Sequence, residues 1–112
     1  MATLKNTGLF GTRTRTNTLL VVHMLRETHP SEIANVIGVS LSQAQRAVDS
    51  LEQAGVLVGA MEGRARRVRI SPRFPAATEL RALLDKLAIH EVELQRRLAE
   101  DRRRPRRAGK AV

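Results

Sequence analysis

Hydrophobic and polar positions alternate along this chain in three different rhythms. From about Arg13 to Glu27, Leu19, Leu20, Val22, His23 and Met24 form a broad apolar face, which predicts a first helix with Thr12, Thr14 or Thr16 as its cap. His29-Pro30 closes the connection that follows, because the residue before proline avoids the helical region. In SEIANVIGVSLSQAQRAVDSL (31–51), Ile33, Ala34 and Ile37 share one face of a second helix capped by Ser31, and Gly38 ends it. Ala44, Val48 and Leu51 then recur at four and three residues, so a third helix buries them. Ser40 or Ser42 caps it, and Ser42, Gln43, Gln45, Arg46 and Asp49 lie off the buried face.

After Leu51 the period changes. Gly55 closes the third helix, and Val56-Leu57-Val58 reads as a short strand. Arg66-Arg67-Val68-Arg69-Ile70 alternates apolar and basic residues like a half-buried strand, and Glu62-Gly63-Arg64 is the turn between the two. Ser71-Pro72-Arg73-Phe74-Pro75 is a linker whose last proline suits the first position of a helix. From there to Leu98 the helical period returns. Leu80, Leu84, Leu87, Leu94 and Leu98 fit a heptad seam with Glu91 as its polar member, and Leu83 widens the stripe. The reading is therefore mainly α with a small β-hairpin. It divides into a flexible N-terminus (1–8), a compact unit (9–75), one long C-terminal helix (76–100) and a disordered basic tail (101–112).

Composition adds charge to this picture. The chain has 112 residues and a net charge of +9. The charge is unevenly placed: residues 1–30 carry +3, 31–60 carry −2, 61–75 carry +4, 76–100 carry −1 and 101–112 carry +5. Such blocks attract polyanions, nucleic acid first among them. An acidic membrane surface is the competitor, but two Phe and no Trp or Tyr leave few aromatic anchors. No apolar run is long enough for a signal peptide core or a membrane span, so a cytoplasmic location is expected. The absence of cysteine removes disulfides, thiolate metal sites and cysteine nucleophiles.

Ala34 where two helices approach, Gly38 four residues on, the apolar turn residue Val39, and inward Ala44 and Val48 together resemble the helix-turn-helix of bacterial DNA-binding proteins. The span from Phe10 to about Leu87 resembles a winged helix-turn-helix regulator of the arsenical-resistance-repressor (ArsR-like) type. The residues carrying this are Phe10-Gly11-Thr12-Arg13-Thr14-Arg15, Glu32-Ile33-Ala34 to Gly38, Ser40 to Arg46, Leu51-Glu52-Gln53-Ala54-Gly55-Val56-Leu57 and Gly63-Arg64. The resemblance implies a homodimer on double-stranded DNA, with the second helix of each motif in a major groove and each wing beside the backbone or in a minor groove. It implies a repressor, and a small-molecule effector is compatible with it, although no motif argues for one.

The expected DNA contacts are Ser40, Ser42, Gln43, Gln45 and Arg46 on the recognition helix and Arg64, Arg66 and Arg67 on the wing. Arg46 reads a base or, alternatively, meets phosphate alone. Leu84, Leu87, Leu94 and Leu98 are the expected dimer seam, and packing of the helix back onto its own domain is the alternative, chiefly for Leu80 to Leu87. No cofactor or metal is expected. His90 and Glu93, with Asp85 nearby, make half a site at best, and His23 and His29 read as a packed side chain and a connection residue. No phosphate loop, nucleophile elbow or isolated carboxylate pair supports an enzyme. The competing readings are a sequence-tolerant nucleic-acid binder and a winged helix that serves as a protein-interaction module.

Overall fold

The computed structural model describes residues 8–103. The elements run α1 (Arg13–Leu25), α2 (Pro30–Ile37), α3 (Leu41–Gln53), β1 (Leu57–Glu62), β2 (Ala65–Ile70), α4 (Ala77–Ile89) and α5 (Val92–Arg103). The expectations for residues 1–7 and for the basic tail beyond 103 lie outside the described residues. Asp101, Arg102 and Arg103, expected to begin the tail, instead close α5.

α1 is the axis of the packing. Thr16 through His23 are all buried, so this helix is covered on every side and not only along the stripe its sequence shows. It touches α2, α3, α4 and β2. Its polar members find partners close by: Thr12 caps it by accepting from the Arg15 N–H, and the Thr16 hydroxyl accepts from the Phe10 N–H at 2.9 Å. α1 stops at Leu25, where Arg26 turns the chain with φ +73°. Thr28 then bridges Val68 of β2 through two backbone hydrogen bonds, a contact no local pattern announces.

His29, not Ser31, caps α2: its Nδ1 accepts from the Glu32 N–H, and Pro30 occupies the first turn. Gly38 ends the helix at φ +77°, a left-handed conformation that a Cβ would disfavour. Ser40 caps α3 in a reciprocal capping box with Gln43. Ile33, Ile37, Ala44, Val48 and Leu51 fill the core against Leu19 to Val22 of α1, as their spacing predicts.

β1 and β2 pair antiparallel, with Leu57 opposite Ile70 and Glu62 opposite Ala65. Gly63 and Arg64 form the two-residue turn, and Gly63 takes the positive φ (+64°) that such a turn requires. Leu57, Val68 and Ile70 anchor the base of the hairpin in the core, while its far end stays exposed.

The C-terminal helix also departs from expectation. The helix expected over 76–100 is broken at His90-Glu91 into α4 and α5. The chain folds back there, and α5 packs on α2. Leu84 and Leu94 are fully buried, Leu98 nearly so, and Leu87 is half-buried against the same cluster. The four residues expected as a seam for a second copy are therefore packed within their own chain. A heptad stripe reports that a helix has an apolar face, not which surface covers it.

Candidate nucleic-acid interface

α3 presents Ser42, Gln43, Gln45, Arg46 and Asp49 to solvent, opposite the buried Ala44, Ala47, Val48 and Leu51. The expected recognition residues thus share one exposed face, but they are not equally available. Ser40 and Gln43 hold each other across the helix start: Gln43 Oε1 accepts from the Ser40 N–H at 3.0 Å, and Ser40 Oγ accepts from the Gln43 N–H at 3.1 Å. Ser42 Oγ lies 3.4 Å from Ser40 Oγ. Gln45 and Arg46 point outward, and Leu41 adds an exposed apolar side chain at the helix start.

The wing arginines divide in the same way. Arg64 occupies the tip of the hairpin and is exposed. Arg66 turns back onto the recognition helix, where its Nη2 donates to Asp49 Oδ1 at 2.7 Å and Glu52 Oε1 at 2.6 Å. Burial lowers its proton affinity, but the two carboxylates outweigh that and hold it above the ordinary arginine value. Arg67 pairs with Glu62 across the hairpin at 3.2 Å. Arg46 on α3 and Arg64 at the hairpin tip are both exposed, whereas Arg66 and Arg67 are tied into the protein by carboxylates.

The clamp of Asp49, Glu52 and Arg66 is the feature that local spacing misses, since its members stand fourteen and seventeen residues apart. Gly59 belongs with it. A Cβ at that position would run into the Glu52 carboxylate as the clamp holds it, so a side chain there would require that carboxylate to shift. On the other side of α3, Arg15 Nη1 donates to Ser50 Oγ at 2.7 Å and ties the recognition helix to α1.

A second cationic feature lies between α1, β2 and α4. A cleft of about 260 Å³ is lined by Val22, His23, Arg26, Arg69, Ile70 and Arg81. His23 is buried beside it, with Nε2 2.6 Å from Asp85 Oδ1. The hydrogen bond from His23 holds the Asp85 carboxyl below its ordinary value.

This arrangement is a winged helix-turn-helix: three helices, the last exposed along one face, and a two-stranded wing locked to it. No family model matches the chain, and no curated protein matches it. Solved structures do. It is similar to the AntR antimony-specific transcriptional repressor, at 19% identity over 76% of this chain and 74% of that one, with a TM-score of 0.59. The adhesin competence repressor AdcR from Streptococcus pyogenes matches at 15% identity, over 80% of this chain and 64% of its own, with a TM-score of 0.60. A MarR family regulator from Silicibacter pomeroyi matches at 21% identity, over 81% of this chain and 62% of its own, with a TM-score of 0.55. The chain thus spans between about three fifths and three quarters of these structures. They share its fold, and because a MarR family protein stands among them, the fold does not single out the ArsR-like type.

Proposed function

We propose that the chain is a sequence-specific, double-stranded DNA-binding transcription regulator that acts as a homodimer and represses by occluding its site. The observation that carries this is the exposed face of α3, which bears Gln45 and Arg46, with Arg66 of the wing bonded to Asp49 and Glu52 of the same helix. Gln and Arg are the side chains that bond adenine and guanine at two points in a major groove, and α3 offers them on a rigid, capped helix. The L-E-Q-A-G-V-L stretch (51–57), which resembles the ArsR-like pattern, and the lack of cysteine support a non-metal-sensing relative of that type.

Two variants test the assignment against a sequence-tolerant binder. Arg46→Ala should cost about 1–3 kcal/mol on the preferred site and far less on random duplex. Arg64→Ala should weaken both alike and flatten the slope of log K against log salt by about one. An equal loss on both duplexes for Arg46→Ala would reduce that residue to a phosphate contact. A protein-interaction module would bind neither duplex.

An effector, in this reading, is a small anion held in the cleft that Arg26, Arg69 and Arg81 help to line, where three arginines outnumber the neighbouring Asp85 carboxylate and favour negative charge. A thermal shift produced by a small organic anion should disappear in Arg81→Ala. A shift that persists there places the anion elsewhere.

A further inference from the structure

The break between α4 and α5 is not written into the sequence. No glycine or proline occurs between Ala77 and Arg103, and the heptad runs through His90 and Glu91 without a slip. The backbone at His90 is still right-handed helical in sense, with φ −91° and ψ 0°. Several contacts hold the fold-back. Gln95 Nε2 donates to the Ala88 carbonyl, the group that an unbroken helix would give to the Val92 N–H. Leu94 and Leu98 bury themselves in the core, Arg97 Nη1 donates to the Val36 carbonyl at 3.3 Å, and Asn35 Nδ2 donates to Asp101 Oδ1 at 3.3 Å. α5 offers no other apolar side chain to the domain, and most of its remaining surface is charged.

The fold-back also leaves something uncovered. Ile89 and Val92, on either side of the elbow, are 66% and 69% exposed. They are three residues apart, so on an unbroken helix they lie on one face as adjacent apolar neighbours. In the folded-back protomer most of their surface faces solvent.

We propose that α4 and α5 also exist as one straight helix from Ala77 to Arg103, and that two copies then exchange α5. Straightening carries Leu94 and Leu98 away from their own α2, and such a helix is about 40 Å long. The surface they leave is the same surface on the second copy. Reciprocal exchange therefore restores every contact of α5 with α2, now between chains, including those of Arg97 with Val36 and Asn35 with Asp101. The hinge is short and carries no helix breaker, the circumstance in which exchange is least costly. Ile89 and Val92 meet their counterparts where the two straightened hinges cross. This rests on the homodimer reading and specifies it: the leucines of the seam bridge two copies by packing on the partner's α2 rather than on each other.

The test uses the absence of cysteine. A full-length chain carrying Asn35→Cys is mixed with a differently tagged chain carrying Asp101→Cys, co-refolded, and treated with a short bis-maleimide. Exchange predicts a cross-linked species containing both tags. A chain carrying both substitutions should then give interchain links, with a yield that rises on Gln95→Ala, which removes the staple of the fold-back. Links confined within single chains would overturn the proposal. Sedimentation of the same samples separates the two ideas. A dimer with only intrachain links keeps the homodimer and excludes exchange, whereas a monomer with only intrachain links removes both.

Discussion

Single side chains decide what the surface of α3 and the wing offers to a ligand. Arg66 is a member of the expected wing contact set, yet two carboxylates of α3 hold it. Removing it should leave the salt dependence of DNA binding nearly unchanged while loosening the wing, whereas removing Arg64 should act on the salt slope. Measuring affinity at several salt concentrations for Arg66→Ala and Arg64→Ala separates structural from phosphate-binding arginine. Gly59→Ala tests the same clamp from the strand side. The added methyl meets the Glu52 carboxylate, and the variant should lose about 1–3 kcal/mol in denaturant unfolding, the range seen for overpacking. Wild-type stability in that variant would mean that Glu52 has room to move and that the clamp is dispensable. The roles of Arg64 and Arg66 were not distinguishable from sequence, because alternation along a strand shows which face a residue takes but not which helix it meets.

Elements were legible to different degrees. The helix-turn-helix could be read almost completely, since its caps, its turn glycine and its inward residues are all local. Ser40 should be worth about 1 kcal/mol as a cap, so Ser40→Ala should lower the denaturant midpoint by that amount. The cap of α2 was misread because His29 does this work in place of Ser31, using a ring nitrogen as acceptor. The end of the chain was legible as helix but not as two helices: the elbow at His90-Glu91 is imposed by the burial of Leu94 and Leu98, not by a breaker. α5 is further fixed by Glu93, which accepts from Arg96 and Arg97. Those hydrogen bonds, to Arg96 first and Arg97 second, lower its carboxyl from 4.5 to about 2. Between those values the folded chain binds fewer protons than the unfolded one. The stabilisation from Glu93 is therefore complete above pH 4.5 and is lost as the pH falls through 2. Stability of Glu93→Gln should accordingly vary less than wild type over that interval, and parallel pH profiles would show that the pair contributes nothing to folding. Leu94→Ala should cost about 2–5 kcal/mol, as for a buried leucine, and a loss well below that would mean that α5 is not packed in solution.

The molecule as a whole is a small domain wrapped around α1, with charge placed outside its core. No helix among the described residues is long and apolar enough to cross a membrane. The full encirclement of α1 escaped sequence reading, because Thr16, Asn17 and Thr18 look polar and the structure buries all three, whereas the burial of His23 on the apolar face was legible. The three basic blocks did not escape it. One block (61–75) includes the wing turn and second strand, and its Arg64 is exposed at the hairpin tip. These features converge on one claim, that α3 reads base sequence from a twofold assembly. Selection of bound duplexes from a random pool tests it most directly. The account predicts an enriched inverted repeat with half-site centres about 34 Å apart, one turn of the duplex. A bound pool as diverse as the input would contradict it.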